Sequence, residues 1–112
     1  MPRREAVSKY MSELSMPKNV KGNGYVQRAI MLYLSLKGRP RILTTKIYPQ
    51  IADEFLTSAH CVERNIRHCI SVAWRKSDPT VISRLLGKRY INQCPTNAEF
   101  ILTVAENIGY NL

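Results

Sequence analysis

Apolar residues recur along this chain at steps of three and four, and that spacing predicts helices throughout. Over residues 25–36, Val26, Ala29, Ile30, Tyr33 and Leu34 fall on one face, the pattern of a core helix. Phe100, Ile101, Val104, Ala105 and Ile108 repeat it near the end of the chain, with Thr96 and Glu99 at capping-box spacing before them and Gly109 closing the helix. Proline and glycine divide the remainder. A first helix is expected over 4–14, ahead of Met16-Pro17, and turn formers follow at 18–24. The second helix, opening at Tyr25, should stop at Gly38 and Pro40. The stretch 41–47 has strand-like composition but no partner strand, so it reads as the lead-in to a third helix over 48–55. That helix carries Ile51, Ala52 and Phe55 inward, with Pro49 in its first turn. Leu56-Thr57-Ser58 is a turn in which Thr57 caps a fourth helix, 57–75, whose last turn ends in Arg75-Lys76 as the helix dipole favours. Asp78-Pro79 opens a short fifth helix that ends at Gly87. The expected fold is all-α, a six-helix single domain over residues 1–112 containing a helix-turn-helix, its first nine residues loosely ordered.

The fourth helix is the most strongly two-faced. On a wheel of about 100° per residue, Val62, Ile66, Cys69, Ile70 and Ala73 gather on one side. His60, Glu63, Arg64, Arg67, His68, Ser71 and Arg75 gather on the other. A short helix, a brief turn and then such a helix is the arrangement of a helix-turn-helix. The polar face has base-edge chemistry: arginine donates two parallel bonds to guanine O6 and N7, and glutamate accepts from cytosine N4. Glu63, Arg64 and Arg67 are therefore the expected base readers. Thr57 and Ser58, at the helix start, are expected to meet phosphate, because free N–H groups and the dipole favour an anion there.

Charge strengthens the picture. The 112 residues carry 17 Lys and Arg against 8 Asp and Glu, a net charge of +9, which implies a polyanionic partner. The excess is central: residues 37–89 hold eleven bases and only Asp53, Glu54, Glu63 and Asp78 as acids. Cys61, Cys69 and Cys94 have no metal-binding spacing. The pairs His60/Cys61 and His68/Cys69 would lie roughly 12 Å apart on a helix, far beyond one zinc ion's reach. No metal and no cofactor are expected, and Cys69 reads as a core residue. Catalysis is not expected either: His68 and Cys61 are about 10 Å apart along the axis, and Gly22-Asn23-Gly24 lacks the strand and lysine-serine ending of a phosphate loop. No apolar run spans a bilayer and residues 1–15 lack the apolar centre of a secretory signal, so a cytoplasmic, nucleoid-associated protein with no membrane partner is expected.

Val62-Glu63-Arg64-Asn65-Ile66-Arg67-His68 followed by Val72-Ala73-Trp74 resembles the recognition helix of the Stage 0 sporulation protein A family, the sporulation-initiating response regulators of endospore-forming bacteria. Gly24-Tyr25, Tyr48-Pro49-Gln50-Ile51-Ala52 and Pro95-Thr96-Asn97-Ala98-Glu99-Phe100-Ile101 agree as well, so the likeness covers about residues 10–108. The resemblance implies a six-helix effector domain that regulates transcription. By position, Glu63, Arg64 and Arg67 would touch bases of double-stranded DNA, while Thr57, Ser58, His60 and His68 would hold its backbone. Family members bind boxes resembling TGNCGAA, often as tandem copies, which implies a tandem dimer on DNA. They also contact the housekeeping sigma factor of RNA polymerase, a surface that maps to about 77–90 with Ser77, Asp78, Ser83, Arg84 and Lys88. Cys61 and Cys94 stand where the family usually carries basic residues that contact DNA. The family's receiver domain has no counterpart in this chain, so phosphorelay control is not carried over; a free-standing effector or a piece of a longer regulator is expected. Two other readings stay open: an RNA-binding protein, and a protein-interaction module that contacts sigma factor or a full-length regulator.

Overall fold

Helix signals and packing agree along most of the chain. A computed structural model describes residues 2–36 and 42–110. Among the described residues there are six α-helices: α1 (Arg3–Glu13), α2 (Lys21–Leu36), α3 (Tyr48–Glu54), α4 (Ala59–Lys76), α5 (Pro79–Leu85) and α6 (Asn97–Tyr110). A π-helical segment, Leu43–Ile47, runs directly into α3, and a 3-10 turn, Lys88–Tyr90, follows α5. The all-α expectation is met, and the strand-like stretch is helical over its described part. The expected stop of the second helix at Gly38 and Pro40 lies outside the described residues.

The long helices α2, α4 and α6 pack against one another, with α1 and α3 laid on α2. Val26, Ala29 and Ile30 of α2, Val62 and Ile66 of α4, and Ile101 and Val104 of α6 are fully enclosed between them. The stripes read from α4 and α6 are buried as expected, Cys69 included. Leu34 is only half-buried, whereas Tyr25 and Leu32 are buried.

Several boundaries differ from the sequence reading, each for a physical reason. Helix α2 begins at Lys21, four residues early, so the supposed loop residues Gly22-Asn23-Gly24 lie in its first turn. Asn23 is buried there, its amide donating to the Pro17 carbonyl at 2.7 Å and its Oδ1 accepting from Gln27 at 2.6 Å. Gly22 serves close approach instead of a turn: a Cβ on it would lie 2.4 Å from Cys69 Sγ and 2.5 Å from the Asn65 carbonyl oxygen of α4. Helix α6 passes through Gly109 to Tyr110, so that glycine does not close it.

Helices α1 and α3 both end in a Schellman turn built on a non-glycine residue in the left-handed region. Ser15 (φ 58°) donates to the Ser12 carbonyl and Met16 to that of Met11. Leu56 (φ 56°) and Thr57 donate likewise to Asp53 and Ala52. Because α3 stops at Glu54, Phe55 leaves the helical period. It is 49% exposed and rests edge-on against Tyr25, not inward as the spacing suggested.

Candidate nucleic-acid interface

Helix α4 is fixed from behind and open in front. Its apolar stripe is enclosed by α2, α3 and α6. Asn97, in the first turn of α6, donates to the Glu63 carbonyl at 3.1 Å and to the Tyr48 hydroxyl at 3.2 Å, clamping α6, α3 and α4 together. Burial pushes the Tyr48 hydroxyl upward in pKa; the Asn97 bond opposes that shift and nearby Glu63 adds to it. At the far end, half-buried Trp74 donates its indole N–H to the Tyr90 carbonyl at 2.6 Å, and the Ser77 hydroxyl donates to Leu14 at 2.8 Å. Arg75 and Lys76 sit in the last turn, where the dipole favours cations.

The N-terminus corrects one assignment. Ser58, not Thr57, caps α4: its backbone is extended and its hydroxyl accepts from the Cys61 N–H at 3.0 Å. Thr57 belongs to the Schellman turn that ends α3, which engages its N–H. The cap leaves the Ala59 and His60 N–H groups without an intrahelical acceptor, pointing off the helix start. Ser58 and His60 are exposed and Thr57 is half-buried.

On the polar face, Arg64, Arg67 and His68 are exposed and Glu63 is half-buried. These are the residues that the wheel brought together, and the helix does present them together. Arg64 forms no ion pair with any described residue. Arg67 pairs with Glu63 one turn earlier, Nε to Oε1 at 3.3 Å, while its side chain stays 63% exposed. The sequence reading missed that pair, although the i,i+4 spacing of Glu before Arg signals it. Alongside Arg67 a groove of about 620 Å³ opens between the π-helical segment, α4 and the start of α6, lined by Leu43, Tyr48, Ser71, Cys94 and Asn97 among others. Burial raises the Cys94 thiol pKa, against the pull of nearby Arg75. Cys61, on the first turn of α4, accepts from Asn65 at its sulfur and its carbonyl.

The residues expected to face sigma factor are less uniformly available. Ser77 is engaged with Leu14, and Asp78 caps α5 by accepting from Thr80 at 2.8 Å, which holds its carboxyl below the usual range. Ser83 is half-buried. Arg84 reaches Glu13 at 3.4 Å, and Lys88 is exposed. Among the described residues no helix is long and apolar enough to cross a membrane.

This geometry meets its counterpart in a known family, one of DNA-binding effector domains and not of enzymes. The family model described as the sporulation initiation factor Spo0A C terminal matches residues 7–108, from α1 into the last turns of α6. The match includes every element that positions the α4 face, and the chain therefore belongs to the family of Spo0A C-terminal DNA-binding effector domains.

Proposed function

We propose that the protein is a sequence-specific regulator of transcription whose α3, 55–58 turn and α4 act as a helix-turn-helix on double-stranded DNA. The observation that carries this is the front of α4: Arg64 and Arg67 stand exposed on a helix pinned behind by three others. A rigid helix that offers guanidinium groups at i and i+3 can enter a major groove and donate paired bonds to guanine O6 and N7. Arg64 and Arg67 read bases, and Glu63 belongs to the same patch. The Ser58 cap, the adjacent free N–H groups, Thr57, His60 and His68 hold the backbone. The net charge of +9 supports the approach to a polyanion.

Partners beyond DNA follow from the family resemblance: a second copy on a tandem box, and the housekeeping sigma factor at 77–90. The exposure of Lys88 supports the latter surface. Selection of duplexes from a random pool tests the central reading. The expected outcome is a short G·C-containing box whose affinity falls with salt at a slope of about −0.9 per phosphate neutralised. Equal binding to every duplex at every salt concentration would overturn sequence-specific reading. Tighter binding to single-stranded RNA than to duplex DNA would support the RNA alternative.

A further inference from the structure

We infer that Asn97 is a positioning residue for base reading: its side-chain amide, reaching from α6, sets the angle at which α4 presents Glu63, Arg64 and Arg67. The inference rests on the DNA-reading proposal above. An amide nitrogen carries two donors, and here both go to other helices, one to the Tyr48 hydroxyl at 3.2 Å and one to the Glu63 carbonyl at 3.1 Å. The acceptor on α4 is the backbone of the turn that would do the reading. Glu63 immediately precedes Arg64, and Arg67 follows one turn on, so a shift of this carbonyl carries all three side chains with it.

The other support for this part of α4 is of a different kind. Val62, Ile66, Cys69 and Ile70 are buried by apolar contact, which is strong but has no preferred direction. On the Arg67 side lies the groove of about 620 Å³, with Tyr48, Glu63, Arg67 and Asn97 in its walls. A hydrogen bond demands both a length and a direction. The Asn97 bridge across these walls therefore resists a rotation of α4 about its own axis that apolar packing would tolerate. That matters because a binding constellation works only when its groups are held within about 0.5 Å and 10–20°. Asn97 is not needed to begin its own helix: Thr96 caps α6 by accepting from the Glu99 N–H at 3.1 Å, and the Glu99 carboxylate accepts from the Thr96 N–H at 2.9 Å.

The test compares wild type, N97A, N97D and Y48F on a duplex set in which each base pair of the selected box is changed in turn. E63A, R64A and R67A mark the base pairs read from α4. In N97D an oxygen replaces the donor, so the Tyr48 hydroxyl can turn and donate to it while the Glu63 carbonyl loses its partner. Aspartate suits the first turn of a helix, so N97D keeps the start of α6 and carries the test if thermal melting shows N97A unfolded. N97A and N97D should each lower discrimination at the marked base pairs by about 3- to 10-fold, a fraction of what an arginine–guanine pair is worth. Y48F retains the Glu63 bond and should stay within about twofold of wild type, because that hydroxyl acts only through Asn97. N97A should bind unrelated duplex with unchanged affinity and salt slope, since no phosphate contact has been removed. In the free wild type, the Asn97 side-chain amide protons should exchange with solvent more slowly than those of exposed Asn92. Equal losses of N97A on box and unrelated duplex would make Asn97 a phosphate contact and overturn the inference. Full discrimination in N97D, or relaxation only at an unmarked base pair, would overturn it as well. Exchange at Asn97 as fast as at Asn92 would overturn it without touching the DNA reading. A wild type that discriminates no base pair would overturn both.

Discussion

Arg28 and Arg64 are the same side chain in opposite circumstances. Arg28, on α2, closes a two-bond fork on Glu54 of α3, with Nε and Nη2 at 2.8 and 2.7 Å from the carboxylate oxygens. Arg64, on α4, has no carboxylate partner among the described residues and faces solvent. The difference teaches how a basic domain keeps some of its charge available. Glu54, Glu13 and Glu99 engage Arg28, Arg84 and Arg89 away from the α4 front. Among the described residues of that front the acid is Glu63, and it binds Arg67 side-on while the Arg67 side chain stays 63% exposed. Net charge alone does not distinguish these arginines; position relative to the acids does.

The contrast depends on α4 being held firmly from behind, and the largest expected effect strikes there. Gly22→Ala places a methyl against Cys69 Sγ and the Asn65 backbone, both inside the α2–α4 contact. Alanine normally stabilises a helix relative to glycine by up to about 1 kcal/mol. Here the overlap with backbone should reverse the sign, with a net loss of about 1–3 kcal/mol as in other overpacked cores. Chemical denaturation measures it; a stabilised Gly22→Ala protein would mean that the two helices can separate freely.

Next comes the comparison itself. Arg64→Ala should weaken binding to the selected box by about 1–3 kcal/mol and relax preference at one guanine. Arg28→Ala should leave that preference intact and alter affinity within about twofold, as surface substitutions away from a site do. Titration of both variants against matched and mismatched duplexes decides it. If Arg28→Ala relaxes a base and Arg64→Ala does not, the functional assignment of the two arginines is inverted.

How much of this was legible in the sequence depends on range. Features set within one turn were readable: the Thr96–Glu99 capping box closes in both directions, at 2.9 and 3.1 Å, and Asp78-Pro79 caps and opens α5. The α4 stripe followed from periodicity alone. Two local features still escaped, the Ser58 cap and the Glu63–Arg67 pair one turn apart, and the rest of what escaped depended largely on contacts distant along the chain. Gly22 looked like a turn former because nothing local shows that Cys69 and Asn65 crowd it. The Arg28–Glu54 fork joins residues 26 apart and has no spacing signature. Leu56 escapes for a different reason: leucine is a poor marker of a left-handed turn, so the spacing predicts an α3 one residue too long, with Phe55 inward.

Leu56 also supplies a smaller test, since its turn joins the helix that carries Glu54 to the helix that carries Arg64. A leucine at φ 56° bears the steric cost of the left-handed region, and with 94% exposure it recovers little from burial. Leu56→Gly should therefore stabilise the fold by up to about 1 kcal/mol, the left-handed cost of about 1–2 kcal/mol less the chain entropy of about 0.5–1 kcal/mol that glycine adds. Base preference should be unchanged, because the Thr57→Ala52 bond that sets the turn uses backbone only. Thermal melting reads the first expectation and duplex titration the second. A loss of preference would make Leu56 part of the DNA-contacting surface.

The smallest effect separates the two arginines by acid. Hydrogen bonds from Arg28, aided by Gln50, hold the Glu54 carboxyl down to about 2, against an ordinary value of 4.5. A carboxyl depressed in the folded state stabilises fully above its unfolded pKa, and that contribution disappears as pH falls from about 4.5 towards 2. Both partners are partly solvated, so its size should be that of a good surface pair, about 0.5–1 kcal/mol. Glu54→Gln should be less stable than wild type by that amount at pH 7, and the two stability curves should converge at the acid end of the window. Arg28→Ala should behave in the same way. Arg64→Ala should instead run parallel to wild type across the whole range, since its guanidinium meets no carboxylate among the described residues. Divergence of the Arg64→Ala curve below pH 4.5 would reveal a hidden acidic partner for Arg64, and with it the loss of the distinction between a structural and a presented arginine.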